Sequence, residues 1–79
     1  MNYQHFNSLS QQQKMAIIVD AEKLGEYRDN DLSRYELFQV DNFYVEVKVS
    51  FLFRYRKIVT TYPLNHIPLN YTKNLLGAA

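Results

Sequence analysis

The sequence predicts an α+β fold: an N-terminal helix packed on a two- or three-stranded antiparallel sheet, then a short C-terminal helix, in one domain over residues 1–79. Three observations predict it. Apolar residues recur at helical spacing behind a capping signal at Ser10, the hydrophobic period changes to two near Tyr35, and only Asp41 and Asn42 separate two alternating runs.

The helix comes first. Ser10 with Gln13 three residues on forms a capping box, in which each side chain satisfies an amide donor that the first helical turn leaves without a partner. Ile17, Ile18, Ala21 and Leu24 then fall on one helical face, widened by Met15 and Val19, and Gly25 suits the left-handed residue that ends a helix. Asp29, Asn30 and Asp31 mark a turn.

Residues 35–40 and 43–49 read as strands joined by a two-residue turn, since Asp41 and Asn42 both tolerate positive φ. That turn sets the register. Val40 faces Phe43 and Phe38 faces Val45, so Phe38, Val40, Phe43, Val45, Val47 and Val49 share the face that the helix covers. Tyr35, Leu37, Gln39, Tyr44, Glu46 and Lys48 occupy the other, with Leu37 opposite Glu46 and Tyr35 opposite Lys48. Pro63, which cannot donate to a ladder, closes the last strand. Pro68 begins a short helix in which Leu69, Thr72, Leu75 and Leu76 have helical spacing, and residues 77–79 form a frayed tail.

A chain of 79 residues buries only about 60–65% of its unfolded surface, so its core must be dense in large side chains. Seven Tyr and five Phe supply them, and two Gly and two Pro leave little chain for free loops. Absence of Cys removes disulfides, thiolate metal sites and a thiol nucleophile. With only His5 and His66 to join carboxylates, no metal or other cofactor is expected. Two isolated glycines cannot build a phosphate-cradling loop, no serine sits in a glycine elbow, and Arg34 and Val40 stand where a calcium loop beginning at Asp29 needs Gly and Glu. The chain is therefore expected to be no enzyme. It carries neither a signal-peptide pattern nor an apolar run long enough to cross a bilayer, so a cytoplasmic protein without membrane contact is expected.

The net charge is +1, but its distribution is uneven. All eight carboxylates lie between Asp20 and Glu46 with three cations among them, whereas Lys48, Arg54, Arg56, Lys57 and Lys73 follow without an acid. Packing of the two segments against each other would neutralise them locally.

Residues 51–57, Phe-Leu-Phe-Arg-Tyr-Arg-Lys, contain no turn former. If the chain turns near Phe53 and Arg54, Val49 pairs with Ile58 and Val45 with Tyr62 in a three-stranded meander. If it does not, residues 43–55 form one strand of roughly 44 Å at ~3.4 Å per residue, longer than a domain of about 30 Å and in need of a second subunit. Interleaved aromatic and basic residues also have the composition of a platform for single-stranded nucleic acid, rings stacking on bases while guanidiniums hold phosphates.

The segment Leu37-Phe38-Gln39-Val40-Asp41-Asn42-Phe43-Tyr44-Val45-Glu46-Val47 resembles a family of small uncharacterised bacterial proteins, in which a tight turn leads into a Phe-aromatic-Val-Glu-Val strand. The resemblance covers about half the chain. It implies a shared helix-and-hairpins fold and no function. The family has Gly in place of Asn42 and a polar turn in place of residues 51–56.

The function expected from the residues is a non-catalytic protein-interaction or structural module that forms a homo-oligomer, with Phe51, Leu52, Phe53 and Tyr55 as the candidate interface. The alternative is a single-stranded nucleic-acid-binding protein using Lys48, Arg54, Arg56 and Lys57.

Overall fold

The computed structural model describes residues 1–30, 32–68 and 71. They form two short helices, α1 (Tyr3–Asn7) and α2 (Gln11–Val19), followed by four strands, β1 (Glu22–Asn30), β2 (Ser33–Val40), β3 (Phe43–Ser50) and β4 (Tyr55–Pro63). The strands form one antiparallel sheet in the order β1-β2-β3-β4, each hydrogen-bonded to its sequence neighbours. The fold is α+β as expected, but with four strands rather than two or three and with two helices before the sheet. Leu69, Thr72, Leu75 and Leu76, on which the expected C-terminal helix rests, lie outside the described residues, as do residues 77–79.

α1 is a single five-residue helix begun by Asn2, whose side chain accepts from the His5 N–H at 2.8 Å. It delivers Phe6, fully buried against the Phe43 ring at 5.4 Å between centroids. The capping box of α2 forms as expected, Ser10 Oγ accepting from the Gln13 amide at 3.2 Å and Gln13 Oε1 from the Ser10 amide at 3.0 Å. The end of this helix departs from expectation. α2 stops at Val19, and Leu24 and Gly25, read from the sequence as its last turn, belong to β1. Gly25 lies opposite Leu37, and a shift of register between Lys23 and Gly25 leaves Leu24 as the extra residue of a bulge. Gly25 has no positive φ, so it is no helix terminator. Pairing with β2 outweighs the helical spacing of Leu24, whose side chain packs with Leu37, Tyr44 and Tyr71 instead of with Ile17 and Ala21.

The β2–β3 hairpin has the expected register throughout, from Val40 opposite Phe43 to Tyr35 opposite Lys48, and Asp41 takes positive φ (50°) in its turn. The chain also turns between β3 and β4, which excludes the single long strand: residues 51–54 form the loop, closed by Ser50 opposite Tyr55. Ser50 Oγ accepts from the Phe53 amide at 3.2 Å and Arg54 takes positive φ (56°), so the turn forms without Gly, Pro, Asn or Asp. Because this turn is centred between Leu52 and Phe53, one residue earlier than a turn at Phe53 and Arg54, Ile58 lies opposite Val47, not Val49. Thr61, not Tyr62, lies opposite Val45, after a bulge between Glu46 and Val47.

The sheet is packed on both faces. The helices cover one, where Phe6 and Ile18 meet Phe38, Val40, Phe43, Val45, Val47 and Ile58, with Met15, Ile17 and Ala21 at the margin. On the other, Leu37 and Tyr44 pack with Tyr71, flanked by Leu24, Tyr27, Tyr35, Tyr62 and Ile67. β3 is central and covered on both sides, which is why its first five residues are all buried.

Candidate functional site at the aromatic end of the sheet

Two turns meet at one end of the sheet, the one joining β1 to β2 and the one joining β3 to β4. The Phe51 amide donates to the Leu32 carbonyl at 2.8 Å and ties them together. This end exposes large apolar side chains: Phe53 is 72% exposed, Leu52 60%, Leu32 52% and Tyr55 43%. The candidate interface residues Phe51, Leu52, Phe53 and Tyr55 are thus brought together, but by a turn and the first residue of β4 rather than by a continuous strand. The rings of Phe53 and Tyr55 are nearly parallel, 8° between planes with centroids 6.4 Å apart. Phe51 is half-buried, with the Arg28 and Arg34 guanidiniums over its ring at 5.2 and 5.4 Å.

The candidate cations Lys48, Arg54, Arg56 and Lys57 do not share a face. Arg56 lies opposite Val49 on the helix-bearing side, where its guanidinium sits over the Phe38 ring at 5.7 Å. Lys48 and Lys57 are cross-strand partners on the opposite side, with Lys48 over the Tyr35 ring at 6.0 Å. Arg54 is exposed in the turn and forms no ion pair among the described residues.

Beside the turn on the helix-bearing side lies a charge cluster that the sequence reading missed. The carboxylate of Glu36, 5% exposed, receives Lys23 at 3.0 Å and Arg34 at 3.1 Å on one oxygen and Arg56 at 3.1 Å on the other. Burial pushes the Glu36 carboxyl up. The hydrogen bond and charge of Lys23 and the charges of Arg34 and Arg56 outweigh that and hold it below its ordinary value. Lys23 also pairs with Glu26, whose hydrogen bond is the largest influence raising the ammonium above its ordinary value. Arg56 from the basic segment and Glu36 from the acidic one thereby neutralise each other in part, as the uneven charge distribution predicts. The sequence signal for this cluster was alternation itself: the predicted register already placed Glu36 on the valine face, the side expected to be buried.

The opposite face buries a second carboxylate by different means. Glu46 is 6% exposed and accepts from the Tyr71 hydroxyl at 2.8 Å and from the Tyr62 hydroxyl at 3.4 Å, with no ion-paired cation among the described residues. Tyr27 packs edge-on against Tyr71 at 5.0 Å and stacks on Tyr35 at 5.1 Å. Burial first, then the hydrogen bond and charge of Glu46, pushes the Tyr71 phenol far above its ordinary value, and the same influences raise Tyr62. Tyr71 belongs to the second core, and Tyr62 lies at its margin.

A cleft of about 220 Å³ between the end of α2 and the β2–β3 hairpin is lined by Ile17, Asp20, Ala21, Glu22, Gln39, Val40 and Asp41. Among the described residues no group of three or more His, Asp or Glu side chains is placed to hold a metal ion, and no helix is long and apolar enough to cross a membrane. Comparison with known proteins finds no matching family model, no matching curated protein and no matching solved structure.

Proposed function

We propose that this chain is a non-catalytic protein-interaction module that self-associates through the aromatic end of its sheet. The observation that carries this reading is the exposure of Leu32, Leu52, Phe53 and Tyr55 together at one end of the sheet. Apolar side chains scattered singly over a surface need no partner, whereas several large ones on adjoining turns are sites that contact removes from water.

The sheet edges support an end-on rather than an edge-on contact. β1 carries register shifts beside Leu24 and Asp29, and β4 carries one at Val59 and ends at Pro63. Bulges and proline are the devices that stop open edges from pairing, so strand addition is disfavoured at both.

Sedimentation equilibrium at neutral pH, from low to high micromolar concentration, tests the reading. The wild-type chain should associate with a dissociation constant in the micromolar range, and Leu52→Ser/Phe53→Ser should remain monomeric with an unchanged circular dichroism spectrum. A strictly monomeric wild type at high micromolar concentration overturns it.

A further inference from the structure

Lys48 and Lys57 lie directly opposite each other on β3 and β4, on the face of the sheet away from the helices. Like charges in that relation are destabilising, yet among the described residues neither lysine has an ion pair. Glu46, two residues before Lys48 on the same face, is buried and taken up by the Tyr62 and Tyr71 hydroxyls. The helix-bearing face is treated differently, since Lys23, Arg34 and Arg56 all converge there on Glu36. The chain thus neutralises cations on one side of the sheet and leaves a pair of them uncompensated on the other.

Aromatic rings border this pair on two sides. Tyr55, opposite Ser50 and two residues before Lys57, shares its face at about 7 Å along β4, and the Phe53 ring stacks on Tyr55. On the other flank the Lys48 ammonium sits over the Tyr35 ring at 6.0 Å, and Tyr35 stacks in turn on Tyr27. The lysines therefore stand between two stacked ring pairs on one face. Lys57, Phe53 and Tyr55 are exposed, so charge and flat apolar surface are offered to solvent side by side. Arg54, exposed in the turn between the two outer ring residues, puts a third cation without an ion pair at the same corner.

We propose that this corner binds single-stranded nucleic acid, its phosphates on Lys48, Lys57 and Arg54 and its unpaired bases on the exposed rings of Phe53 and Tyr55. Cations alone would suit any polyanion. An acidic peptide offers charge without rings, and a duplex keeps the faces of its bases stacked inside. An unpaired strand alternates phosphate with an accessible flat ring, which matches the alternation of lysine and aromatic side chains here. Arg56, which linear sequence groups with these cations, takes no part, because it projects from the helix-bearing side of β4 and is held by Glu36. The proposal goes beyond self-association and does not rest on it, although a second copy and a bound strand would compete for Phe53 and Tyr55.

Fluorescence anisotropy with a labelled single-stranded DNA of about 12 nucleotides tests it. Three phosphate contacts predict that affinity falls about 20-fold between roughly 50 and 200 mM salt. Lys48→Gln/Lys57→Gln should weaken binding at least about tenfold and flatten the salt dependence. Phe53→Ala should weaken it about tenfold with little change in salt dependence. Arg28→Gln, on the helix-bearing face, should bind as the wild type does, and all variants should keep the native circular dichroism spectrum. Absence of binding at the lower salt overturns the proposal. So does unchanged binding in the Lys48→Gln/Lys57→Gln variant, or a loss in Arg28→Gln as large as in that variant. Equal affinity for duplex DNA, polyglutamate or anionic lipid vesicles, with no effect of Phe53→Ala, marks an unselective basic surface and overturns it as well. Sedimentation of the free chain reads self-association separately, so either reading can fail alone.

Discussion

Glu36 and Glu46 sit on neighbouring strands and opposite faces of the sheet, and the chain satisfies them differently, one with cations and one with phenols. Their environments give stability two limits of opposite sign. The Glu36 carboxyl is held below its ordinary value of 4.5, so its contribution is fully present above that pH and is lost as pH falls through the lower folded value. The Tyr71 phenol is raised above its ordinary value of 10.0. The unfolded chain therefore loses that proton near pH 10 while the folded one keeps it, and stability falls as pH rises further. A series of thermal melts from acid to alkaline pH checks both limbs. Glu36→Gln should cost about 1–3 kcal/mol at neutral pH and flatten the acid limb. Tyr71→Phe, which takes a hydroxyl from a buried carboxylate, should cost a similar amount and flatten the alkaline limb. An unchanged alkaline limb in Tyr71→Phe would show that the phenol ionises alike in both states.

At the scale of elements, β3 concentrates the stability of the domain. Val45 and Val47 are fully buried beneath the helices, while Tyr44 and Glu46, between and beside them, are buried on the other side. Val47→Ala should destabilise by about 1–3 kcal/mol. Val47→Asp places a charge without a partner in the same site and should unfold a chain whose total stability is only about 4–12 kcal/mol. Circular dichroism and the melting temperature decide it, and a native spectrum for Val47→Asp would mean that this position does not face the core. The register and the turn of the β2–β3 hairpin were legible in the sequence because alternation and turn chemistry agree, although β2 begins two residues before Tyr35 and β3 ends one after Val49. β1 was not, for a physical reason: Glu22, Lys23, Gly25 and Glu26 have little strand preference, so the strand exists only through its pairing with β2. α1 escaped notice because five residues offer too short a window for periodicity, and its one buried anchor, Phe6, stands alone in a polar stretch.

For the whole molecule, extents of 32 × 32 × 17 Å describe a flat slab whose exposed aromatic cluster lies at one end. Two copies joined end to end would form a particle roughly 60 Å long, twice one in-plane dimension and well beyond that of two slabs stacked face to face. Small-angle scattering at a concentration where sedimentation shows dimers should give that longer dimension, and a compact particle would move the contact to a face. The aromatic members of the end cluster were legible in the sequence as a run of residues. Arg28, Leu32 and Arg34 were not, because they reach this end through the turn between β1 and β2, and the helix wrongly extended to Gly25 concealed that strand. Unbroken alternation through residues 51–57 puts Arg56 on the Lys48 side and Tyr55 on the valine side; the turn at residues 51–54 reverses both, setting Arg56 opposite Val49 and Lys57 opposite Lys48.

The meander also bears on how the chain is made. Each strand pairs with the next in sequence, so the sheet can grow by local closures of the kind that fold fast. The helices are different. They leave the ribosome first, yet the partners that cover them come late: Asn7 bonds Thr61, 54 residues on, and Phe6 and Ile18 share a cluster with Ile58. Helices of five and nine residues are too short to persist alone in water, so during synthesis the Ser10 and Gln13 box can only bias a segment that remains largely uncoiled. These contacts predict an order of assembly that differs from the order of synthesis: the middle of the chain pairs first, and its beginning waits for its end.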